Sequence, residues 1–309
     1  MKHPEPHSFP QPRHDRTKRG PPMNQTSDLL TNTSLRKLIG DMQTLPSLPS
    51  LYRELMNILQ ADDASVEKAA RIIAKDVGMV TKILQVVNSP FYGLRGKVSN
   101  PSQAVTLLGL NTIKSLVLSR KVFSQFDQSK IPFFSLEVLW QHGMTTGVHA
   151  RAIAKEEAVE QAMTEDAFTA GMLHDVGTLV LASNLPDQYT EMLALMQEQG
   201  LSEWDAERRL FGATHAEVGG FLLGQWSLSQ TIVDTVAYHH EPSHCPTPSS
   251  IVLASVHVAN ATEEETQASA IGEPVHPMDL TYLTDCGFAD RLPLWQALCR
   301  DESLSKAGG

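Results

Sequence analysis

From about Ser34 onward, apolar residues recur at spacings of three and four, the period of an α-helix with one buried face. Ser65 reads as an N-cap before Val66, Ala69, Ala70 and Ile73. Asp76 reads as the cap of a stripe made by Val77, Val80, Ile83, Leu84 and Val87, which Asn88-Ser89-Pro90 ends. Asn111 precedes Ile113, Leu116 and Val117 in a further helix. Ser135 opens a long one through Leu136, Leu139, His142, Thr146, His149 and Ile153. Thr214-x-x-Glu217 matches a capping box, and Ser229 can cap the segment of Ile232, Val233, Val236 and His240. No stretch alternates with period two, and no Asn-Gly or Asp-Gly hairpin signal occurs. The pattern predicts an all-α protein.

Breaks in the pattern divide the chain. Residues 1–28 carry six of the 18 prolines and no apolar period, so a flexible Pro-rich tail is expected, with Met23 as an alternative start to Met1. An N-terminal helical part follows over 34–128. Phe126 to Phe134 forms the internal boundary, and a helical bundle is expected over 133–262. From Glu263 to Pro277 the chain is acidic, polar and contains Gly and Pro, which predicts a loop. This opens a C-terminal extension, 263–309, with a short helix around Leu292 to Cys299.

Composition narrows the function classes. Hydrophobic residues make up 41% of the 309, enough for a sizeable core. The 25 basic and 35 acidic residues leave a net charge of −10, which argues against a phosphate backbone as main ligand. Arg95, Lys97, Lys114, Arg120 and Lys121 form only a modest basic cluster, read as a solvated face. No apolar run is long enough for a membrane helix, and no signal peptide is visible. Three cysteines without a C-x-x-C spacing fit a reduced, cytoplasmic setting. No nucleophile elbow, P-loop or dinucleotide fingerprint is present.

Twelve histidines remain to be explained, three of them in the tail. His174-Asp175 and His239-His240 stand out as adjacent pairs. Imidazole nitrogen with carboxylate oxygen suits Fe, Mn, Zn or Ni, and such a site can activate water against a phosphoester. His142 and His149 are seven apart on one helix face. Blander readings stand beside these. His149 and His257 read as core histidines bonded to carbonyls. His239 or His240 reads equally as a cation at a helix C-terminus, and His215 as either a neutral ligand or a surface residue. A His-Asp pair inside the apolar run Gly171-Met172-Leu173-His174-Asp175-Val176-Gly177 is harder to explain blandly.

Many motifs then occur in a recognisable order: Leu45-Pro46-Ser47-Leu48-Pro49, Ile73-Ala74-Lys75-Asp76, Val87-Asn88-Ser89-Pro90-Phe91-Tyr92-Gly93 and Ala104-Val105 to Leu108-Gly109-Leu110. Trp140-x-His142, the His174-Asp175 run, Glu207 to Phe211-Gly212, His215-Ala216-Glu217-Val218-Gly219, Trp226 and His239-His240 complete the series. From about Leu45 to Ala261 the chain resembles the HDOD family, relatives of the HD metal-dependent phosphohydrolases. The resemblance implies an N-terminal helical part followed by an HD-like helical bundle, in a regulatory module of a signalling pathway.

The related HD-GYP phosphodiesterases, which cleave cyclic di-GMP, hold metal with a His, His-Asp, His, His-His, Asp series. Carried over, that set is His142, His174, Asp175, His215, His239 and His240, with the last carboxylate replaced by Asn260. Asp175 is the one candidate for a catalytic role. Thr178 stands where those enzymes carry a lysine, and Glu241-Pro242-Ser243 follows His240 in place of a Gly-Tyr-Pro loop. The expectation is a cytoplasmic signalling module that works through protein partners, with no membrane and no nucleic acid, without catalysis and with a residual divalent-metal site. The alternative is a metal-dependent phosphohydrolase.

Overall fold

Many helices of this protein begin where a short polar side chain accepts the first unpaired backbone N–H groups. The structure, a computed structural model, describes residues 32–42, 45–59, 65–89, 94, 96–247, 250–271 and 275–301. The expected tail, Pro90 to Gly93 and Arg95 lie outside the described residues. The N-terminal part consists of α1 (Thr33–Asp41), α2 (Ser50–Leu59), α3 (Val66–Ile73), α4 (Val77–Val87), α5 (Pro101–Leu108) and α6 (Leu110–Phe123). After a short 3-10 turn at Gln128–Lys130 come α7 (Leu136–Glu156), α8 (Gln161–Leu173), α9 (Val176–Asn184), α10 (Pro186–Gln199), α11 (Glu203–Phe211), α12 (His215–Gln225), α13 (Gln230–Tyr238) and α14 (Ile251–Ile271). Two short helices, α15 (Leu280–Asp285) and α16 (Leu292–Cys299), close the chain. No strand occurs among the described residues.

The side chains of Ser65, Asp76, Ser135, Thr214 and Ser229 all cap the helices expected of them, and Thr214 and Glu217 form the reciprocal capping box. Asn111 does not act as a cap. α6 starts at Leu110, directly after Gly109, whose φ of 80° ends α5 in a conformation that favours glycine.

The expected loop from Glu263 is also absent. α14 runs on to Ile271, because its acidic residues have partners inside the protein. Glu263 bonds Thr146 and lies against His142, and Glu264 accepts a hydrogen bond from Asn260. Val275 to Asp279 are outside any helix.

α7 and α8 form the most extensive helix pair, with α14 laid against both. Their backbones approach through glycine. A Cβ on Gly171 would lie 2.6 Å from Gly147 Cα, and one on Gly143 would lie 2.7 Å from Met172 O. α12 packs on α9 and α13, and there a Cβ on Gly177 would stand 1.9 Å from His215 O.

The N-terminal helices join this bundle through α6 on α8 and through polar ties. Lys82 pairs with Glu137 and lies 4.8 Å from the Trp140 ring centre, and Trp226 Nε1 donates to Pro46 O at 3.2 Å. Lys121, one residue of the basic cluster, is an ion-pair partner of Asp76. At the other end, Trp295 Nε1 and Arg291 Nε both donate to Glu157 Oε1, at 2.8 and 2.7 Å, and lock α16 against α7.

Gly171→Ala is expected to cost about 1–3 kcal/mol, because the new methyl meets backbone that cannot move without separating α7 from α8. Gly40→Ala, with open space around it in α1, is expected to be neutral or to stabilise by up to about 1 kcal/mol. Urea unfolding of both variants measures the contrast.

Candidate metal centre

His142, in the second turn of α7, faces the junction of α8 and α9. α8 stops at Leu173, and His174 and Asp175 occupy the break before Val176. His215 is the first residue of α12, and His239 and His240 follow the end of α13. Asn260 comes from α14. Six candidate ligands and Asn260 are thus delivered by five different helix segments to one place. The expectation that His240 sits on the α13 stripe is not met, since the helix ends at Tyr238.

The ring orientations are fixed from behind. His174 Nδ1 lies 2.7 Å from Gly171 O and His239 Nδ1 lies 2.8 Å from Val236 O. A carbonyl can only accept, so each Nδ1 carries the hydrogen and, in the neutral ring, leaves Nε2 as a bare lone pair. Glu207 does the same for His215, taking its Nδ1–H at 2.7 Å and its backbone N–H at 2.8 Å. Glu263 Oε1 stands 3.2 Å from His142 Nδ1.

The Nε2 atoms face Asp175. Its Oδ1 is 3.1 Å from His174 Nε2, 3.5 Å from His215 Nε2 and 3.8 Å from His239 Nε2, and its Oδ2 is 3.5 Å from His142 Nε2. His142 and His174 bring their Nε2 atoms to 3.2 Å, as do His215 and His240.

Lone pairs aimed at one another inside a protein require a proton or a cation between them. Nitrogens bound to one ion at 2.0–2.1 Å stand about 3.0–3.4 Å apart, which matches these separations. His239 Nε2 is buried without a hydrogen-bond partner, a further sign of a place for an ion. The donors group as His142, His174 and Asp175 on one side and His215, His239 and His240 on the other, with the ligand atoms of each trio within 4.8 Å of one another. Asp175 lies between the two. The residues therefore fit one or two divalent ions, with nitrogen and oxygen donors suited to Fe, Mn, Zn or Ni.

Electrostatics follow from this crowding. Burial pushes the His142 imidazolium down, but Glu263, Asp175 and Glu264 outweigh it and raise its pKa to about 9. Burial acts likewise on His215, and Glu207 with Asp175 and Glu203 raises it to about 10. His239 and His240 are held neutral, well below the usual histidine range, first by burial and then by neighbouring imidazoles. Burial opposes ionisation of Asp175, yet His174, His142 and His215 hold its carboxyl well below the usual range.

Two expectations are thereby corrected. His215 is buried, not on the surface, and Glu207 overrides the helix N-terminus that disfavours its cation. His239 and His240 are not cationic caps, because charge is too costly where they lie. His257 is a satisfied core histidine, donating to His239 O at 2.6 Å and accepting from Asp279 N at 2.8 Å.

Glu207, Glu263 and Glu264 were not singled out as site residues by sequence pattern. Glu207 belongs to a quoted motif, but nothing local shows that it reaches His215, eight residues on. Above the centre a cleft of about 290 Å³ is lined in part by His142, Asp175, His215, His240, Glu203 and Glu264.

Metal affinity is expected to rise steadily from pH 6 to pH 9. Nearby carboxylates raise the pKa of His142 to about 9 and of His215 to about 10, and each must lose a proton to become a ligand, so binding releases protons and acid opposes it. Calorimetric titration in buffers of different ionisation enthalpy measures the release. Glu207→Gln, which weakens the support of His215, is expected to lower affinity about 10- to 100-fold, read by competition with a chelator.

Comparison with known proteins identifies the fold and the family. Residues 45–242 match the family model described as HDOD domain. An HDOD domain protein of unknown function from Geobacter sulfurreducens superposes with a TM-score of 0.71 at 23% identity, covering 91% of this chain and 97% of that one. A candidate phosphohydrolase from Shewanella amazonensis SB2B gives a TM-score of 0.63 at 20% identity, covering 90% and 99%. An uncharacterized protein of Treponema pallidum (strain Nichols) is 28% identical over 235 residues, which cover 74% of this chain. The chain spans only 44% of the length of that curated relative. The family match covers well over half of the residues and includes all the candidate ligands before Asn260: the chain belongs to the HDOD domain family.

Proposed function

We propose that this protein is a metal-binding HDOD module of a signalling pathway, acting in the cytoplasm through contacts with partner proteins and without phosphodiester turnover. The observation that carries this reading is the lining of the cleft over the metal centre. Among the described residues it contains no lysine or arginine, while Asp175, Glu203 and Glu264 place three carboxyl groups along it. A phosphodiester approaching the centre would meet these carboxyl groups and, among the described residues, no lysine or arginine to bind it. Thr178, at the position where a phosphate-binding lysine would be expected, is buried in α9 and does not line the cleft.

In this reading His142, His174 and Asp175 hold one ion and His215, His239 and His240 a second, with Asp175 shared. A bound divalent ion supplies the positive charge that the converging lone pairs lack. The chain's own residues do the rest: Glu207 and two helix carbonyls aim the rings, and the glycine crossings bring the helices into reach. Neither membrane nor nucleic acid is a partner in this proposal. No helix among the described residues is long and apolar enough to cross a membrane, and Lys121 of the basic cluster is engaged by Asp76.

A second reading, a metal-dependent phosphohydrolase, is favoured by one specific observation. The cleft reaches His142, Asp175, His215 and His240, so a bound ion would be accessible to a small substrate.

One experiment separates the two. The protein is purified without chelators, loaded with Mn²⁺, Fe²⁺, Zn²⁺ or Ni²⁺, and assayed for bound metal and for hydrolysis of cyclic di-GMP and bis(p-nitrophenyl) phosphate. Bound metal, thermal stabilisation of about 2.7 kcal/mol at 100-fold excess over Kd, and no turnover are expected. Asp175→Asn is expected to lose both metal and stabilisation. Turnover that disappears in Asp175→Asn would establish the hydrolase instead.

A further inference from the structure

The metal centre has one chemically weak member, Asn260, a neutral amide on α14 among imidazoles and a carboxylate. Its two ends are held differently. Nδ2 donates to Glu264 Oε1 at 2.8 Å, and Oδ1 lies 3.0 Å from His142 Nε2. An amide has one donor end and one acceptor end. With the carboxylate of Glu264 taking the donor end, only the carbonyl oxygen can face His142. Turned over, Asn260 would set its oxygen against a carboxylate oxygen and its NH2 toward the metal-facing nitrogen.

Glu264 sits one helical turn beyond Asn260, so the pair shares a face of α14 and moves as a unit. A charged acceptor on the NH2 group also polarises the amide and increases negative charge on its oxygen. Glu264 lines the cleft, yet it is not a member of either ligand trio. Its neighbour Glu263 stands behind His142.

Building on the metal-binding reading, we infer that Glu264 is a positioning residue that makes Asn260 a metal ligand. It holds Oδ1 toward an ion at His142, His174 and Asp175. Through one hydrogen bond it returns the negative charge that a carboxylate at position 260 would carry directly. The neutral ligand and its charged neighbour together replace a single acidic residue.

The arrangement has a consequence that a merely structural role lacks. With Asp in place of Asn260, the charge is already on the ligand, and Glu264 becomes a like charge beside it.

The test measures Zn²⁺ affinity of the full chain by competition with a chromophoric chelator. Relative to wild type, Glu264→Ala is expected to weaken binding about 10-fold or more, and Glu264→Gln, which keeps an acceptor without the charge, to fall between. In the Asn260→Asp background, Glu264→Gln is expected to leave affinity unchanged or to tighten it. Thermal unfolding of the metal-free variants checks that each is folded, and the Gln variants keep the test open should Glu264→Ala not fold. Equal weakening by Glu264→Gln in both backgrounds, or no effect in either, overturns the inference while leaving the metal centre standing. A wild-type chain that binds no Zn²⁺ overturns both.

Discussion

Imidazoles whose Nε2 atoms face one carboxylate cannot satisfy one another, and that constraint organises the centre of this protein. His174, His215 and His239 spend their Nδ1 hydrogens on acceptors behind them, so their other nitrogens arrive at Asp175 as lone pairs. Without a metal, protons must fill the gap. Burial and neighbouring imidazoles push His239 and His240 toward the neutral form, while Glu263, Glu207 and Asp175 favour the proton on His142 and His215. A divalent ion resolves the same conflict with more charge at one point. Hydrogen bonds from behind His174, His215 and His239 are what make the site ready for it.

This convergence depends on how closely the backbones pass. His142 and His174 meet at 3.2 Å because α7 and α8 cross through Gly143, Gly147 and Gly171. Gly177 lets α9 lie directly on the first turn of α12, which carries His215. The glycines contribute no chemistry of their own. They remove the Cβ atoms that would keep the ligating helices apart.

Much of this was legible in the sequence, for local reasons. N-caps can be read because the capping side chain reaches only two or three residues ahead, as at Ser65, Asp76 and Thr214. The His-Asp and His-His pairs can be read because charged groups inside apolar runs demand a partner. Glu263 and Glu264 were hidden by the same logic run in reverse. An acidic stretch next to a Gly-Pro segment looks like a solvated loop unless something basic faces it, and His142, the group that does, lies 121 residues earlier. Protonation of His215 was equally out of reach, since the helix N-terminus argues one way and Glu207 overrules it only once the fold brings the two together.

The placement of α7 connects the centre to both ends of the protein. Its first turns are gripped by the N-terminal part, through Lys82 on Glu137 and over Trp140, two residues before His142. Its far end is pinned by α16, where Arg291 and Trp295 share Glu157. Between these anchors His142 meets ligands from the α8–α9 junction and α14. An ion held there ties together elements that also carry the outer surfaces of the molecule, because no single helix supplies a complete ligand set. Binding energy at the centre is therefore packing energy between helices. The cleft above it is lined by imidazoles and carboxylates beside apolar side chains, while Lys82 and Arg291 are engaged toward the two ends of α7.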